Sequence, residues 1–206
     1  MHCRASCAVA DGLVAELGGG ARRFSEDLTE AEAPARLVAS VVATYGRLDV
    51  LVNNAASFER TPLDTVTVEQ WDHIFAVNLR APFFLALAAA RVMGAGGAIV
   101  NLSDLAGFET WPAYIPHGLA KSGVATMTRA LASQLAPRIR VNAIAPGVVL
   151  PPDDMPPADL DRLATSTPLG RHGTPGDVVQ ALEYFLDATF VTGQVLFIDG
   201  GRHVRR

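Results

Sequence analysis

The sequence predicts an α/β fold with a doubly wound parallel sheet. Two kinds of segment alternate along it, and turn residues separate them. Leu48–Asn53 (LDVLVN) and Ala98–Leu102 (AIVNL) are short, continuously apolar, β-branched runs. Strands buried on both faces of a parallel sheet read this way. Arg140–Ala145 (RVNAIA) and Gln194–Ile198 (QVLFI) repeat the pattern more weakly. Helical stretches fall between them. Glu30–Tyr45 sets Leu37, Val38, Val41, Val42 and Tyr45 on one face, and Gly46 stops it. Further helices are expected from about Thr67 into Met93, from Ala113 to Ala136 ahead of Pro137, and over Pro175–Asp187. Strand–helix–strand alternation implies crossover connections within a single domain, 1–206. Pro151–Leu169 carries five prolines and four aspartates with little periodicity, and it is expected to be an irregular substrate lid after a strand end.

Composition narrows the function classes. At 206 residues, half of them hydrophobic and 18% charged, the chain has enough apolar material for a real core and is not a disordered protein. A net charge of −4 and a pI near 5.7 argue against a nucleic-acid partner, and the basic Arg202–Arg206 end reads as a solvated tail. The two cysteines, Cys3 and Cys7, permit no disulfide framework, and no His cluster accompanies them, so no metal site is expected. The first twenty residues lack the order of a signal peptide. The apolar stretch Ala81–Ala90 ends at Arg91 after half a bilayer's span, as a buried helix would. The expected location is the cytoplasm, without membrane attachment.

Five local patterns then occur in one order: Leu51–Ala55 (LVNNA) after a strand, Asn78 within AVNL, the strand end Ile99–Asp104, Asn142–Gly147 (NAIAPG), and Thr192-Gly193 followed by Asp199–Gly201. Together they resemble the short-chain dehydrogenase/reductase family from residue 1 to about 203. The resemblance implies a Rossmann-like domain, a nicotinamide cofactor, a small-molecule substrate and a homodimer or homotetramer. Asn54, Ala55 and Ala56 would let the backbone approach the cofactor closely. Asp27 and Leu28 correspond to the adenine contact, and Pro146-Gly147 to the turn beneath the nicotinamide. His2–Ser6 (HCRAS) matches the end of the family's second strand, where NADPH-preferring members carry a basic residue and a hydroxyl. Arg4, a forked permanent cation, and Ser6 therefore point to NADPH over NADH.

At the reacting positions the family usually has Ser, Tyr and Lys; this sequence has Asp104, His117 and Lys121. Asp in place of Ser is shared by the pteridine-reductase branch. Phe58 in NNAASF, followed by Thr61-Pro62-Leu63, resembles that branch's platform for a flat pterin, with Trp111 and Tyr114 lining the same pocket. Histidine can do acid–base work near neutral pH, although imidazole reaches less far than phenol and the Lys121 cation opposes imidazolium. Asp104 could compensate by pairing with His117 or by donating the proton itself. Tyr114, one turn earlier, is the other candidate donor. Lys121 would anchor the ribose and Asn78 would serve the proton relay. Three readings stay open: an NADPH-dependent reductase of pterin-like or other conjugated C=N or C=O substrates, an enzyme of ordinary ketones or alcohols, and a non-catalytic relative.

The family's Gly-rich phosphate turn has no match. Gly18-Gly19-Gly20 ends a helix instead of opening one. The chain is expected to be N-terminally truncated and to lack the family's first, central strand. Two rows of strand backbone groups would then have no partners, and cofactor binding would be weak.

Overall fold

The computed structural model describes residues 1–4, 7–151 and 155–204. Its elements, in chain order, are β1 (His2–Cys3), α1 (Cys7–Leu17), β2 (Phe24–Ser25), α2 (Ala33–Tyr45), β3 (Val50–Asn53), α3 (Val68–Phe75), α4 (Ala81–Val92), β4 (Gly97–Leu102), α5 (Ile115–Leu135), β5 (Ile139–Pro146), α6 (Pro157–Thr165), α7 (Pro175–Asp187) and β6 (Val195–Ile198). A π-helical turn, Ala76–Arg80, joins α3 to α4. The alternation predicted from the sequence is therefore the architecture. Strands β3, β4, β5 and β6 pair in that order, all parallel, with Val52 opposite Val100 and Val100 opposite Asn142.

Parallel register puts alternate side chains of neighbouring strands on common faces. On one face Ile99 and Val141 pack with Ala86, Ala89, Val124 and Leu131 of α4 and α5. On the other, Val100 and Ile144 meet Ala181 and Phe185 of α7. Helix α2 lays Leu37 and Val38 against Ala81 and Leu85. It ends where predicted: Gly46 takes φ 73°, a left-handed conformation that suits glycine, and its N–H donates to Val42 O at 2.7 Å. The 25-residue run Val68–Val92 is apolar enough to cross a membrane by composition, yet more than half of its most apolar window is buried in this core.

Strands β1 and β2 form a separate two-stranded parallel sheet. Among the described residues no strand lies between β1 and β3. A cavity of about 360 Å³ occupies that position, lined by Met1, His2 and Leu51–Ala55. Val50 and Val52, on the face that α7 covers further along the sheet, are 39% and 37% exposed. Asn53 borders the cavity, and its Oδ1 is the one buried side-chain oxygen or nitrogen among the described residues without a hydrogen-bond partner. The break expected from the sequence is thus present as two facing strand edges.

One expectation needs correction. The 151–169 segment is not irregular throughout, because Pro157–Thr165 is helical. Pro157 sits at the first turn, where a missing N–H costs nothing, and an acidic Asp159 follows there. Proline count hid this, since prolines break a helix only from its interior. No residue of this helix is buried.

Candidate active site

All four long strands end on the same side, and the candidate residues collect at that edge. The loop after β3 carries Asn54–Phe58, the end of β4 carries Ser103 and Asp104, the end of β5 carries Pro146-Gly147, and the first two turns of α5 carry His117 and Lys121. Carboxyl ends of parallel strands are where such sheets bind ligands.

The centre is a buried hydrogen-bonded chain. His117 is 2% exposed. Its Nε2 lies 3.3 Å from Asp104 Oδ2, and its Nδ1 lies 3.3 Å from Asn78 Nδ2 and 3.2 Å from Ser57 O. Asn78 is clamped in turn: its amide donates to Ser57 O at 2.8 Å and its Oδ1 accepts from Ser57 N at 2.8 Å. An ionised Asp104 can only accept, which assigns the Nε2 proton to His117. Neutral imidazole then takes a hydrogen bond from Asn78 at Nδ1, whereas imidazolium donates to Ser57 O. Either protonation state finds partners, as a proton-holding group requires. Sequence reasoning missed Ser57, since a backbone carbonyl leaves no composition signal.

Asp104 is the more accessible member of the pair, with its side chain 26% exposed against 2% for His117. Its Oδ1 accepts from Ala106 N at 2.8 Å, capping the short 3-10 turn Leu105–Gly107 and fixing the carboxylate's direction. That turn lies against α5 at two glycines. A Cβ on Gly118 would stand 2.7 Å from Ala106 O, and one on Gly107 would stand 2.9 Å from the Lys121 and Ser122 backbone. Gly118 directly follows His117, so close approach here sets the Asp104–His117 distance. Gly118→Ala is expected to destabilise by about 1–3 kcal/mol, as overpacking does. It should also lower turnover more than tenfold, by separating the pair; thermal melts and steady-state rates check both effects.

Lys121 is buried, 4% exposed, and its Nζ donates to Leu102 O at 2.8 Å. Burial pushes its pKa down to about 8, and the Asp104 carboxylate opposes that shift. Behind it, Asn53 Nδ2 donates to Asn101 Oδ1 at 2.8 Å, and Asn101 Nδ2 donates to Thr128 Oγ1 at 2.9 Å. This buried polar chain ties β3 and β4 to α5 and holds the site's frame rigid.

Phe58 is 56% exposed and stacks on Tyr114, with centroids 4.6 Å apart and planes 6° from parallel. It meets His117 edge-on at 4.9 Å and Trp111 at 6.5 Å. The three predicted substrate aromatics therefore form one cluster beside the His117 pair. Arg202 reaches from the C-terminal segment to hold it. Its Nη2 is 3.1 Å from Glu109 Oε2, which also accepts from Trp111 Nε1 at 3.0 Å, and its guanidinium lies over the indole at 5.9 Å. Distance in sequence kept the Glu109–Arg202 contact out of reach of pattern reading.

A cavity of about 610 Å³ adjoins this cluster. Arg4, Asp27, Leu28, Ala55 and Ala56 line it, so half of the predicted cofactor residues come together there with the predicted substrate platform Phe58; Asn54 borders the neighbouring cavity. Asp27 turns toward its own loop, its Oδ1 accepting from Thr29 N at 2.9 Å and Thr29 Oγ1 at 2.7 Å, which holds its pKa below the usual carboxylate value. Pro146-Gly147 sits at the end of β5, where Gly147 N donates to Ile198 O at 2.9 Å. Ser6 lies outside the described residues. Gly18, Gly19 and Gly20 follow the end of α1 with positive φ, and they are far from a strand-to-helix phosphate turn in design. The described residues form no group of three or more that could hold a metal ion.

A family model described as enoyl-(acyl carrier protein) reductase matches residues 4–203. The chain belongs to the short-chain dehydrogenase/reductase family. Among curated proteins, this dehydrogenase/reductase is 36% identical over 201 residues to the 3-oxoacyl-[acyl-carrier-protein] reductase FabG of Thermotoga maritima, covering 93% of this chain and 82% of that one. It is also 36% identical over 208 residues to the inactive 2-(S)-hydroxypropyl-CoM dehydrogenase 2 of Xanthobacter autotrophicus, covering 94% and 90%. Among solved structures, a dehydrogenase/reductase from Sinorhizobium meliloti 1021 superposes with a TM-score of 0.89 at 33% identity, over 98% of this chain and 83% of that one. This short-chain dehydrogenase/reductase is thus an α/β oxidoreductase whose family uses nicotinamide cofactors.

Proposed function

We propose that this chain is an NADPH-dependent reductase in which Asp104 and His117 together replace the family's tyrosine as proton source, acting on a flat conjugated substrate. The carrying observation is the 3.3 Å contact between a buried His117 and a partly exposed Asp104. When bound, NADPH supplies hydride. The residues supply everything else. Imidazolium His117 passes its Nε2 proton to Asp104, the more exposed member of the pair, which relays it to the reduced substrate, and the imidazole keeps its Nδ1 proton toward Ser57 O. Asn78 and Ser57 O keep the imidazole oriented in both charge states. Lys121, as an ammonium below pH of about 8, supports the ribose. Tyr114 is the weaker donor candidate, because its ring is engaged in stacking with Phe58.

The cofactor fits in part. The 610 Å³ cavity with Arg4 suits an adenosine carrying a 2′-phosphate, and the small residues Ala55 and Ala56 admit close approach. The described residues offer no Gly-rich strand-to-helix turn for the pyrophosphate. NADPH is therefore expected to bind more weakly than low-micromolar, with Arg4→Glu reversing the preference toward NADH; fluorescence titration of both nucleotides checks this. Equal affinities for NADPH and NADH in the unaltered chain would sink the NADPH assignment.

The substrate reading rests on Phe58. Its exposed ring, backed by Tyr114 and Trp111, offers a face to a planar heterocycle of the pterin kind. Phe58→Ala is expected to lower kcat/KM for a dihydropterin by about tenfold, the loss of an aromatic contact worth about 0.5–1.5 kcal/mol beyond burial. Its effect on a simple ketone should stay under threefold. Equal losses on both substrates would favour the carbonyl reading, which the similarity to a 3-oxoacyl-[acyl-carrier-protein] reductase supports. The absent phenol supports a non-catalytic reading instead, and a folded, NADPH-binding chain that turns over neither substrate class would establish it. Assembly as a homodimer or homotetramer in the cytoplasm completes the proposal; light scattering at micromolar concentration tests the assembly.

A further inference from the structure

One reactive cluster lies outside the proton-transfer chemistry. Cys3 ends β1, is 8% exposed and lines the 610 Å³ cavity; Cys7 opens α1 and is half-buried. Their Sγ atoms are 3.0 Å apart. Arg23 Nη1 lies 4.0 Å from Cys3 Sγ, and Ser25 Oγ lies 3.9 Å from Cys7 Sγ. Arg23 is itself held by Asp11 at 2.6 Å, which fixes a guanidinium beside the two sulfurs.

The two thiols are not equivalent. The hydrogen bond from Cys3 lowers the Cys7 pKa below the ordinary thiol value, with Ser25 and the Arg23 cation helping. The same contact, together with burial, raises that of Cys3. Cys7 is accordingly the more readily ionised and the outer member, and Cys3 is the inner one, holding its proton more tightly. That division of labour is the arrangement of an attacking and a resolving cysteine. A bonded S–S distance is about 2.04 Å, so the pair must close by only about 1 Å.

We propose that Cys3 and Cys7 are a redox-modification site that a hydroperoxide closes into a reversible intrachain disulfide at the rim of the large cavity. In the first step the Cys7 thiolate sulfur attacks one peroxide oxygen. An S–O bond forms, the O–O bond breaks, and the departing hydroxide leaves as water after taking a proton, giving a sulfenic acid. In the second step Cys3 Sγ attacks Cys7 Sγ. The S–S bond forms, the S–O bond breaks, and the hydroxyl departs as a second water with the Cys3 proton. Two thiols lose two electrons in total, and one peroxide is reduced to two waters. The resolving thiol is already in contact, so it intercepts the sulfenic acid before a second peroxide can over-oxidise it. In a reducing compartment such a bond is transient, as sensing disulfides are.

The test uses the full chain, reduced and then treated with one equivalent of hydrogen peroxide at pH 7. Intact mass should fall by two hydrogens, both free thiols should vanish from a thiol titration, and a dithiol reductant should restore them. Peptide mapping should show the segments holding Cys3 and Cys7 joined. Cys3→Ser should leave a dimedone-trappable sulfenic acid on Cys7, and Cys7→Ser should block the mass change. Should either variant fail to fold, the mapping on the unaltered chain still decides. A mass gain of two or more oxygens, a disulfide-linked dimer on a non-reducing gel, or two surviving thiols would each overturn the proposal. None of these readings requires cofactor or substrate, so their outcome is independent of the reductase assignment.

Discussion

Asp104→Asn is expected to lower kcat by about 10²–10⁴-fold, the range that positioned proton transfer supplies. Asparagine keeps the shape and can still accept from Ala106 N, so the cap on the Leu105–Gly107 turn survives and the fold should melt within a few degrees of the parent. It cannot carry the proton. His117→Gln should reduce kcat by a similar factor, and the double variant should be scarcely worse than either, because two groups acting as one unit are strongly non-additive. Tyr114→Phe should cost less than threefold. Steady-state rates with NADPH at saturating substrate measure all four. A gain of tenfold or more in His117→Tyr would show instead that the site is intact but waiting for a phenol, and that imidazole is not the relay.

Lys121→Met is expected to separate stability from activity. The folded chain holds this amine at a pKa of about 8, against an ordinary value of 10.5. Between those values the unfolded chain binds more protons, so stability rises with pH across that window and levels off on either side. At pH 7 the fold therefore carries a penalty of about 3 kcal/mol for charging a buried amine, from 1.36 kcal/mol per pKa unit. Methionine removes the penalty and fills the space, while the Leu102 carbonyl loses a hydrogen bond worth about 1 kcal/mol. The net result should be a more stable protein by roughly 1–2 kcal/mol with kcat/KM reduced at least a hundredfold. Denaturant melts at pH 7 and pH 10 check the sign: the parent gains stability over that rise and the variant does not. Loss of stability at pH 7 in the variant would mean that the ammonium is held by more than the structure displays.

The chemistry-bearing residues were legible because this fold places them at fixed points of a repeating pattern. Strand ends marked by small or polar residues, as at Asn54, Asp104 and Gly147, identify the ligand edge without any coordinates. Helix stops were legible for the same local reason, as Gly46 and its left-handed φ confirm. The helix Pro157–Thr165 was not, because the prolines around it hid a short helix that buries none of its residues. The clamp of Ser57 on Asn78 and His117 was equally invisible, since it runs through backbone atoms 21 and 60 residues away.

What the sequence determined by itself was local: which runs are strands, which are helices, the family they resemble, and which side chains stand at the strand ends. Hydrophobic period and turn chemistry act over a few residues, so a linear reading captures them. Only the tertiary structure decided that His117 faces Asp104 and not solvent, that Phe58 stacks on Tyr114, that Cys3 touches Cys7, and that a cavity separates β1 from β3. The first of these depends on close approach between α5 and the Leu105–Gly107 turn, set at Gly107 and Gly118 by the absence of a Cβ. Distances of this kind follow from packing many side chains at once, and no stretch of sequence contains them.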